Sequence, residues 1–341
     1  MKRSSMMRVT VVGAGAWGTA LAKHLAEKQL AVSLWAHEPE VVHSIAQQRE
    51  NALYLPGVRL PATLTATNGL SEALTKTDCV LFAVPSHVAR PVLGRIGPLL
   101  PESVPFVSAT KGIEEITFDL MTQVMQDTLP SHLRDSLMVL SGPSFASEVS
   151  QGKPTALCLA GRDHGLVKTI QALFITPSFR VYADDDLIGV QLGGALKNVM
   201  ALAAGVVDGL ELGHNARAAL ITRGLAEMIR LGVAMGADPR TFYGLSGVGD
   251  LILTCTGPLS RNHSVGVRLG RGERLEGILA SMQAVAEGVR TAKAALGLAQ
   301  RCGVDMPIVQ EVNAVLFADK SCRRAVGDLM EREAKGEKTP S

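Results

Sequence analysis

The stretch Arg8-Val-Thr-Val-Val-Gly13-Ala14-Gly15-Ala16-Trp17-Gly18-Thr-Ala-Leu-Ala22 decides the fold. Val9 to Val12 are all β-branched, which favours a strand. From Ala16 to Lys28 small and apolar residues recur as in a helix. Between them stands Gly-x-Gly-x-x-Gly. The first glycine permits a tight turn, the second lets a pyrophosphate approach the backbone, and the third lets helix and strand pack closely. The N–H groups that open the helix then face an anion. Glycines at this spacing mean little alone, but between a first strand and a first helix they predict a dinucleotide site.

Working outward, further strands are expected at Ala31–Trp35, Cys79–Val84, Pro105–Ala109 and Leu137–Ser141, with Thr155–Leu159 and Phe179–Tyr182 as extensions. Their continuous apolar character fits a sheet covered on both faces, hence mostly parallel. Phe118–Thr128 reads as one of the intervening helices. After Asp184–Asp186 strand signals fade, and Leu187–Val207, Ala216–Met235, Thr291–Cys302 and Ile308–Ala318 read as helices. The acidic triplet reads as a helix cap with solvated neighbours, and Asp238-Pro239 as a cap followed by proline at the first helical position. The expected organisation is a doubly wound α/β Rossmann domain over residues 1–186, an all-α domain over 187–333 and a polar tail, Ala334–Ser341.

Composition narrows the function. A net charge of +2 supplies no field for nucleic acid or an anionic membrane, and aromatics at 4% offer few stacking platforms. Cys79, Cys158, Cys255, Cys302 and Cys322 form no CxxC pair, so buried free thiols are expected, with neither a zinc site nor a redox pair. Met1–Met7 is followed by no signal-type apolar region. The apolar stretch Leu192–Val207, interrupted by Lys197, reads as too short and too charged for a membrane span. A cytoplasmic enzyme is the expectation.

The end of the second strand bears on cofactor choice. NAD sites usually place a carboxylate there for the ribose hydroxyls. Here the chain reads Trp35-Ala36-His37, with Glu38 next. His37 is either a contact for the 2′-phosphate of NADP or an ordinary surface imidazole. NADP use, with NAD tolerated, is expected.

Alcohol oxidation needs a base for the hydroxyl proton. Lys197 lies in a segment apolar nearly all round, where burial lowers a lysine's basicity. The alternative is a side chain snorkelling at the helix edge. Asn198 beside it is suited to positioning. Lys111 follows a strand at the end where open α/β sheets bind ligands. Gly142 and Ser144, in Ser-Gly-Pro-Ser, offer close backbone approach and a hydroxyl, or form only a turn. Asp250 stands in the Gly-rich stretch Leu245–Thr254, either meeting a lysine or substrate or capping the helix that follows. Ser260-Arg261-Asn262 groups a hydroxyl, a phosphate-matching guanidinium and an amide.

These residues resemble the bacterial NAD(P)-dependent glycerol-3-phosphate dehydrogenases over nearly the whole chain. The resemblance rests on GAGAWGTALA (13–22), NALYLPG (51–57), FAVPSH (82–87), ATKGIE (109–114), LSGPSFA (140–146), GGALKN (193–198), LSGVGDLILTCTG (245–257), SRN (260–262) and EGVRTA (287–292). It implies a C-terminal domain of the 6-phosphogluconate dehydrogenase type. It implies a substrate that is glycerol 3-phosphate or dihydroxyacetone phosphate, and a product feeding phospholipid synthesis. Lys197 is then the proton acceptor. Lys111 meets substrate and cofactor. Gly142, Ser144, Lys197, Asp250, Ser260, Arg261 and Asn262 meet substrate. Gly13, Gly15, Ala16, Trp17, Gly18, His37, Ala146, Arg261, Val285 and Glu287 meet cofactor. A homodimer is also implied. The family often has Ser in place of Ala16 and Arg in place of His37 or Glu38, which bears on cofactor preference and not on the reaction. Competing readings are another hydroxyacid or phosphogluconate-type dehydrogenase of this fold and a non-catalytic NADP-sensing module.

Overall fold

The computed structural model describes residues 7–282, 286–333 and 336. Val285 and nearly all of the polar tail lie outside the described residues. The chain forms two compact units, one from residues 1–110 and 121–187, the other from 111–120 and 188–341.

The first unit is an eight-stranded sheet, order β10-β9-β8-β7-β6-β1-β2-β5. Its strands are β1 (Arg8–Val12), β2 (Ala31–Trp35), β5 (Leu64–Thr67), β6 (Cys79–Phe82), β7 (Phe106–Ser108), β8 (Leu137–Ser141), β9 (Thr155–Gly161) and β10 (Phe179–Asp184). A two-stranded antiparallel ribbon, β3 (Glu50–Asn51) with β4 (Leu55–Arg59), stands apart. In the large sheet only β8 and β9 pair antiparallel. Alternate residues serve opposite faces, as strand geometry requires. Val9, Val11, Leu81 and Val107 join one apolar cluster, while Val12, Val80, Phe82 and Phe106 join the other. Thr10 sits in this apolar run because its hydroxyl donates to Ala73 O at 2.7 Å.

The chain leaves β1 for β2 and β5, then returns to place β6 on the other side of β1. The order reverses at β1, and the crevice beyond its carboxyl end is where such sheets bind ligands.

The second unit packs around the helix Leu187–Gly209, buried at 18 of its 23 residues. This corrects the expectation of a stretch too short to span. By length and composition the helix is long and apolar enough to cross a membrane, and the whole of its apolar window is buried inside the protein. Glycines set its closest approach. A Cβ at Gly205 would stand 2.1 Å from His263 O, one at Gly209 2.3 Å from Val267 O, and one at Gly266 2.1 Å from Leu202 O. The helices Leu187–Gly209 and Arg261–Gly270 therefore meet backbone to backbone through two Gly-x-x-x-Gly faces.

Residues 111–120 depart from the contiguous division expected at 186. Ile113 and Leu120, joined by an isolated β-bridge, enter the second unit's core. Phe118 lies against Gly297, where any Cβ would come within 2.3 Å of its ring. Arg301 donates to the carbonyls of Thr117 and Phe118 at 2.6 and 3.1 Å. The helix expected from Phe118 begins at Met121 instead, since Phe118 has a φ of 59°. All five cysteines are free; Cys79, Cys158 and Cys255 are buried, while Cys302 and Cys322 are only partly so.

Candidate active site

The glycine turn follows β1 directly. Gly13 has a φ of +114°, and a Cβ there would stand 2.7 Å from Ala83 O, beyond the end of β6. Gly18 is as constrained, with Gly13 O 1.9 Å from any Cβ, whereas Gly15 faces open space. Gly15 precedes the helix Ala16–Glu27, and no side chain caps that helix's first N–H groups. A concave backbone with uncapped donors at a helix N-terminus fits a pyrophosphate.

Asn51, fully buried, holds this turn. Its amide donates to Ala14 O and to Thr19 Oγ1, both at 2.8 Å, and its Oδ1 accepts from Tyr54 N at 3.1 Å. The NALYLPG stretch gives Asn51 no role as sequence; its burial under the turn exists only in the fold. Trp17, half-buried, follows on the helix, and its indole Nε1 has no hydrogen-bond partner among the described residues. His37 is exposed just past β2. Glu38 accepts from the Tyr54 hydroxyl at 3.0 Å. At the end of β8, Gly142 has a φ of +132°, the Ser144 hydroxyl donates to Gly142 O at 2.9 Å, and Ala146 opens the short helix Ala146–Ser150.

The second unit gathers the ionisable groups. Asp250, with no exposed surface, opens the helix Asp250–Thr256. Its carboxylate accepts from Lys197 Nζ at 2.5 Å through one oxygen and from Lys111 Nζ at 2.7 Å through the other. The two expectations for Asp250 thus resolve in favour of the lysines. Lys197 does not snorkel: it is 8% exposed and donates also to Thr254 Oγ1 at 2.9 Å. Thr254 lies one helical turn beyond Asp250 and donates back to Asp250 O at 2.7 Å. That spacing of four residues was the signal for it.

Glycine makes this meeting possible. A Cβ at Gly193 would fall 2.2 Å from Ser246 O, and one at Gly247 2.1 Å from Phe242 O. The turn Leu245–Gly249 therefore presses against the long helix one turn before Lys197.

Burial pushes the Lys197 ammonium down to about 8. Asp250 holds it up against that effect, and the neighbouring Lys111 ammonium presses it further down. Two cations share one carboxylate, so a proton leaves Lys197 far more readily than it leaves a solvated lysine.

A second network adjoins on the same helix. Asn198 Oδ1 accepts from Asn262 Nδ2 at 2.9 Å, and Asn262 Oδ1 accepts from Gly288 N at 2.9 Å. Ser260 caps the helix Arg261–Gly270, its hydroxyl accepting from His263 N at 3.2 Å. Arg261 is the first, exposed residue of that helix, and Glu287 opens the helix Glu287–Arg301. Lys111, Lys197, Asp250, Ser260, Arg261, Asn262 and Glu287 thus belong to the second unit, whereas Gly142, Ser144 and Ala146 belong to the first with the glycine turn and His37.

Known proteins agree over almost the whole chain. The N-terminal description of the NAD-dependent glycerol-3-phosphate dehydrogenases matches residues 8–167, and the C-terminal description matches 186–327. The glycerol-3-phosphate dehydrogenases [NAD(P)+] of Geobacter sulfurreducens and Geobacter metallireducens are 54% and 55% identical, each over 97% of this chain and 99% of theirs. The crystal structure of glycerol-3-phosphate dehydrogenase from Coxiella burnetii superposes with a TM-score of 0.91 at 38% identity, covering 96% of this chain and 99% of that one. D-mandelate dehydrogenase, at 12% identity and a TM-score of 0.63, shares the fold alone. The chain belongs to the NAD-dependent glycerol-3-phosphate dehydrogenase family.

Proposed function

We propose that this enzyme interconverts sn-glycerol 3-phosphate and dihydroxyacetone phosphate with Lys197 as the proton-transfer group, working with NADP in preference to NAD. The observation that carries this is a buried amine lowered to about 8 between a carboxylate and a second ammonium. In oxidation the neutral Lys197 Nζ takes the C2 hydroxyl proton as the C2–H bond breaks and the carbonyl forms. In reduction its ammonium returns that proton. The bound nicotinamide supplies the hydride acceptance or donation.

Gly13, Gly15, Ala16, Trp17 and Gly18 hold the dinucleotide, with His37 at its adenosine ribose. Ala146, Arg261, Val285 and Glu287 complete the cofactor contacts by family resemblance. Arg261 grips the substrate phosphate, since its fork matches a dianion. Ser260 and Asn262, the latter tied to Asn198, meet the substrate beside it, and Gly142, Ser144 and Asp250 supply further contacts. Lys111 sets the charge around Lys197 and meets the substrate oxygen. Anchoring the phosphate holds C2 in a reactive geometry. Residues 1–186 serve the cofactor and 187–333 the substrate, with Lys111–Leu120 assigned to the second role. A cytoplasmic homodimer supplying glycerol 3-phosphate to phospholipid synthesis is the setting that the resemblance implies.

Lys197→Ala should lower turnover by about 100- to 10,000-fold, the contribution of a positioned acid–base group, while NADPH binding stays intact. Near-normal turnover with dihydroxyacetone phosphate would overturn the assignment. Activity on a 2-hydroxycarboxylate, with none on dihydroxyacetone phosphate, would favour the hydroxyacid reading of the fold instead.

A further inference from the structure

The carboxyl end of β2 carries more positive charge than the chain order reveals. Trp35 is its last residue, 3% exposed, with its indole N–H donating to Asn68 O at 3.0 Å. The helix Ala89–Ile96 buries Ala89, Val92, Leu93 and Ile96, and this i, i+3, i+4, i+7 face turns Arg95 outward. Arg95 lies over the Trp35 ring, its guanidinium carbon 5.9 Å from the ring centre. The His37 ring stands 6.2 Å from the same indole. Two exposed basic side chains from distant parts of the sequence thus each approach the same indole. Neither makes an ion pair among the described residues, although Arg90, five residues earlier on the same helix, is paired with Asp127.

The acidic side chain nearby is engaged elsewhere. A carboxylate just past β2 would select NAD by accepting from the ribose hydroxyls and repelling a 2′-phosphate. Glu38 is the residue in reach, and its carboxylate accepts from the Tyr54 hydroxyl at 3.0 Å.

We propose that Arg95, with His37, forms the site that reads the 2′-phosphate of NADP, the Trp35 indole holding the guanidinium in place. This rests on the NADP preference stated above and names the residue that enforces it. The chemistry is that of a planar guanidinium donating parallel hydrogen bonds to a phosphate dianion, with the aromatic face restricting its rotamers.

The test is steady-state kinetics of dihydroxyacetone phosphate reduction with NADPH and NADH, on the wild type, Arg95→Gln, Arg95→Lys and Tyr54→Phe. Competitive inhibition by 2′,5′-ADP and 5′-ADP is measured beside it. Arg95→Gln should raise the NADPH KM roughly 10- to 100-fold, the worth of one charge-assisted bond, while leaving kcat and the NADH KM within about twofold. Inhibition by 2′,5′-ADP should weaken in step, and that by 5′-ADP should not. Arg95→Lys should recover part of the preference. Tyr54→Phe frees the Glu38 carboxylate and should shift selectivity toward NADH. If the wild type shows no preference for NADPH, the NADP reading and this proposal fall together. If the wild type prefers NADPH and Arg95→Gln keeps that preference, or affects both cofactors equally, the NADP reading stands and the role of Arg95 is overturned.

Discussion

At the scale of single residues the chemistry turns on how one carboxylate serves two amines. Asp250 has no exposed surface, and among the described residues Lys111 and Lys197 balance its charge. Removing it leaves two ammonium groups facing each other in a buried site, and the more buried one gives up its proton sooner. Asp250→Asn should therefore move the pH at which glycerol 3-phosphate oxidation switches on to a value below that of the wild type. It should also lower kcat, because Lys197 loses the partner that aims it. Lys197→Arg keeps a cation but not a base, since a guanidinium stays protonated. Oxidation should fall by at least about 100-fold in that variant, as expected when general-base help is lost. An Arg variant with wild-type oxidation rates would show that charge, and not proton transfer, is what Lys197 contributes.

At the scale of elements, glycine contacts position the chemistry. The long helix can carry Lys197 to Asp250 only because Gly193 leaves room for Ser246 O. Gly193→Ala should destabilise the protein by about 1–3 kcal/mol, the usual cost of overpacking. It should also lower kcat, because the turn that precedes Asp250 is pushed away from the helix that carries Lys197. A melting temperature and turnover equal to the wild type would refute the close approach. Much of this layer was legible in the sequence. The runs Arg8–Val12, Ala31–Trp35 and Leu137–Ser141 form strands with those bounds, because each is a short, continuously apolar segment bounded by turn residues. The ribbon β3–β4 was not legible: Leu55–Arg59 contains Pro and Gly and is largely exposed, so no apolar period marks it. The start of Glu287–Arg301 was placed four residues late, because the exposed Arg290 broke the apolar pattern of the first turn. The site residues Lys197 and Asp250 stood out as charges in apolar surroundings. Thr254 was marked only by its spacing from Asp250, and Asn51 and Arg95 by nothing, because their roles depend on neighbours that only folding supplies.

At the scale of the whole molecule, the least legible feature is the crossing of the chain between units. Lys111 follows β7 in sequence, yet its ammonium is bound to Asp250 in the second unit. The anchor is Phe118 against Gly297, with Arg301 on the adjacent carbonyls. Phe118→Ala should cost about 3 kcal/mol of stability, the low end for a large aromatic truncation. It should also lower kcat by loosening the segment that carries Lys111. Unchanged thermal unfolding and kinetics would show that the segment holds its place without that ring. The division of labour leaves one claim at the centre: the second unit delivers an amine that is largely neutral just above pH 8. Lowering of a lysine's proton affinity favours its neutral form as pH rises, so oxidation needs high pH and reduction needs low pH. The direct measurement is kcat against pH in both directions, with glycerol 3-phosphate deuterated at C2 for oxidation and NADPH deuterated at the transferred C4 position for reduction, to confirm that hydride transfer limits the rate. Oxidation should climb about tenfold per pH unit, as expected for one proton, and level off above a break near 8, while reduction is flat below that break and falls above it. Rates that stay level from about pH 6 to 10 in both directions, a span that brackets the break, with the isotope effect fully expressed, would contradict the account.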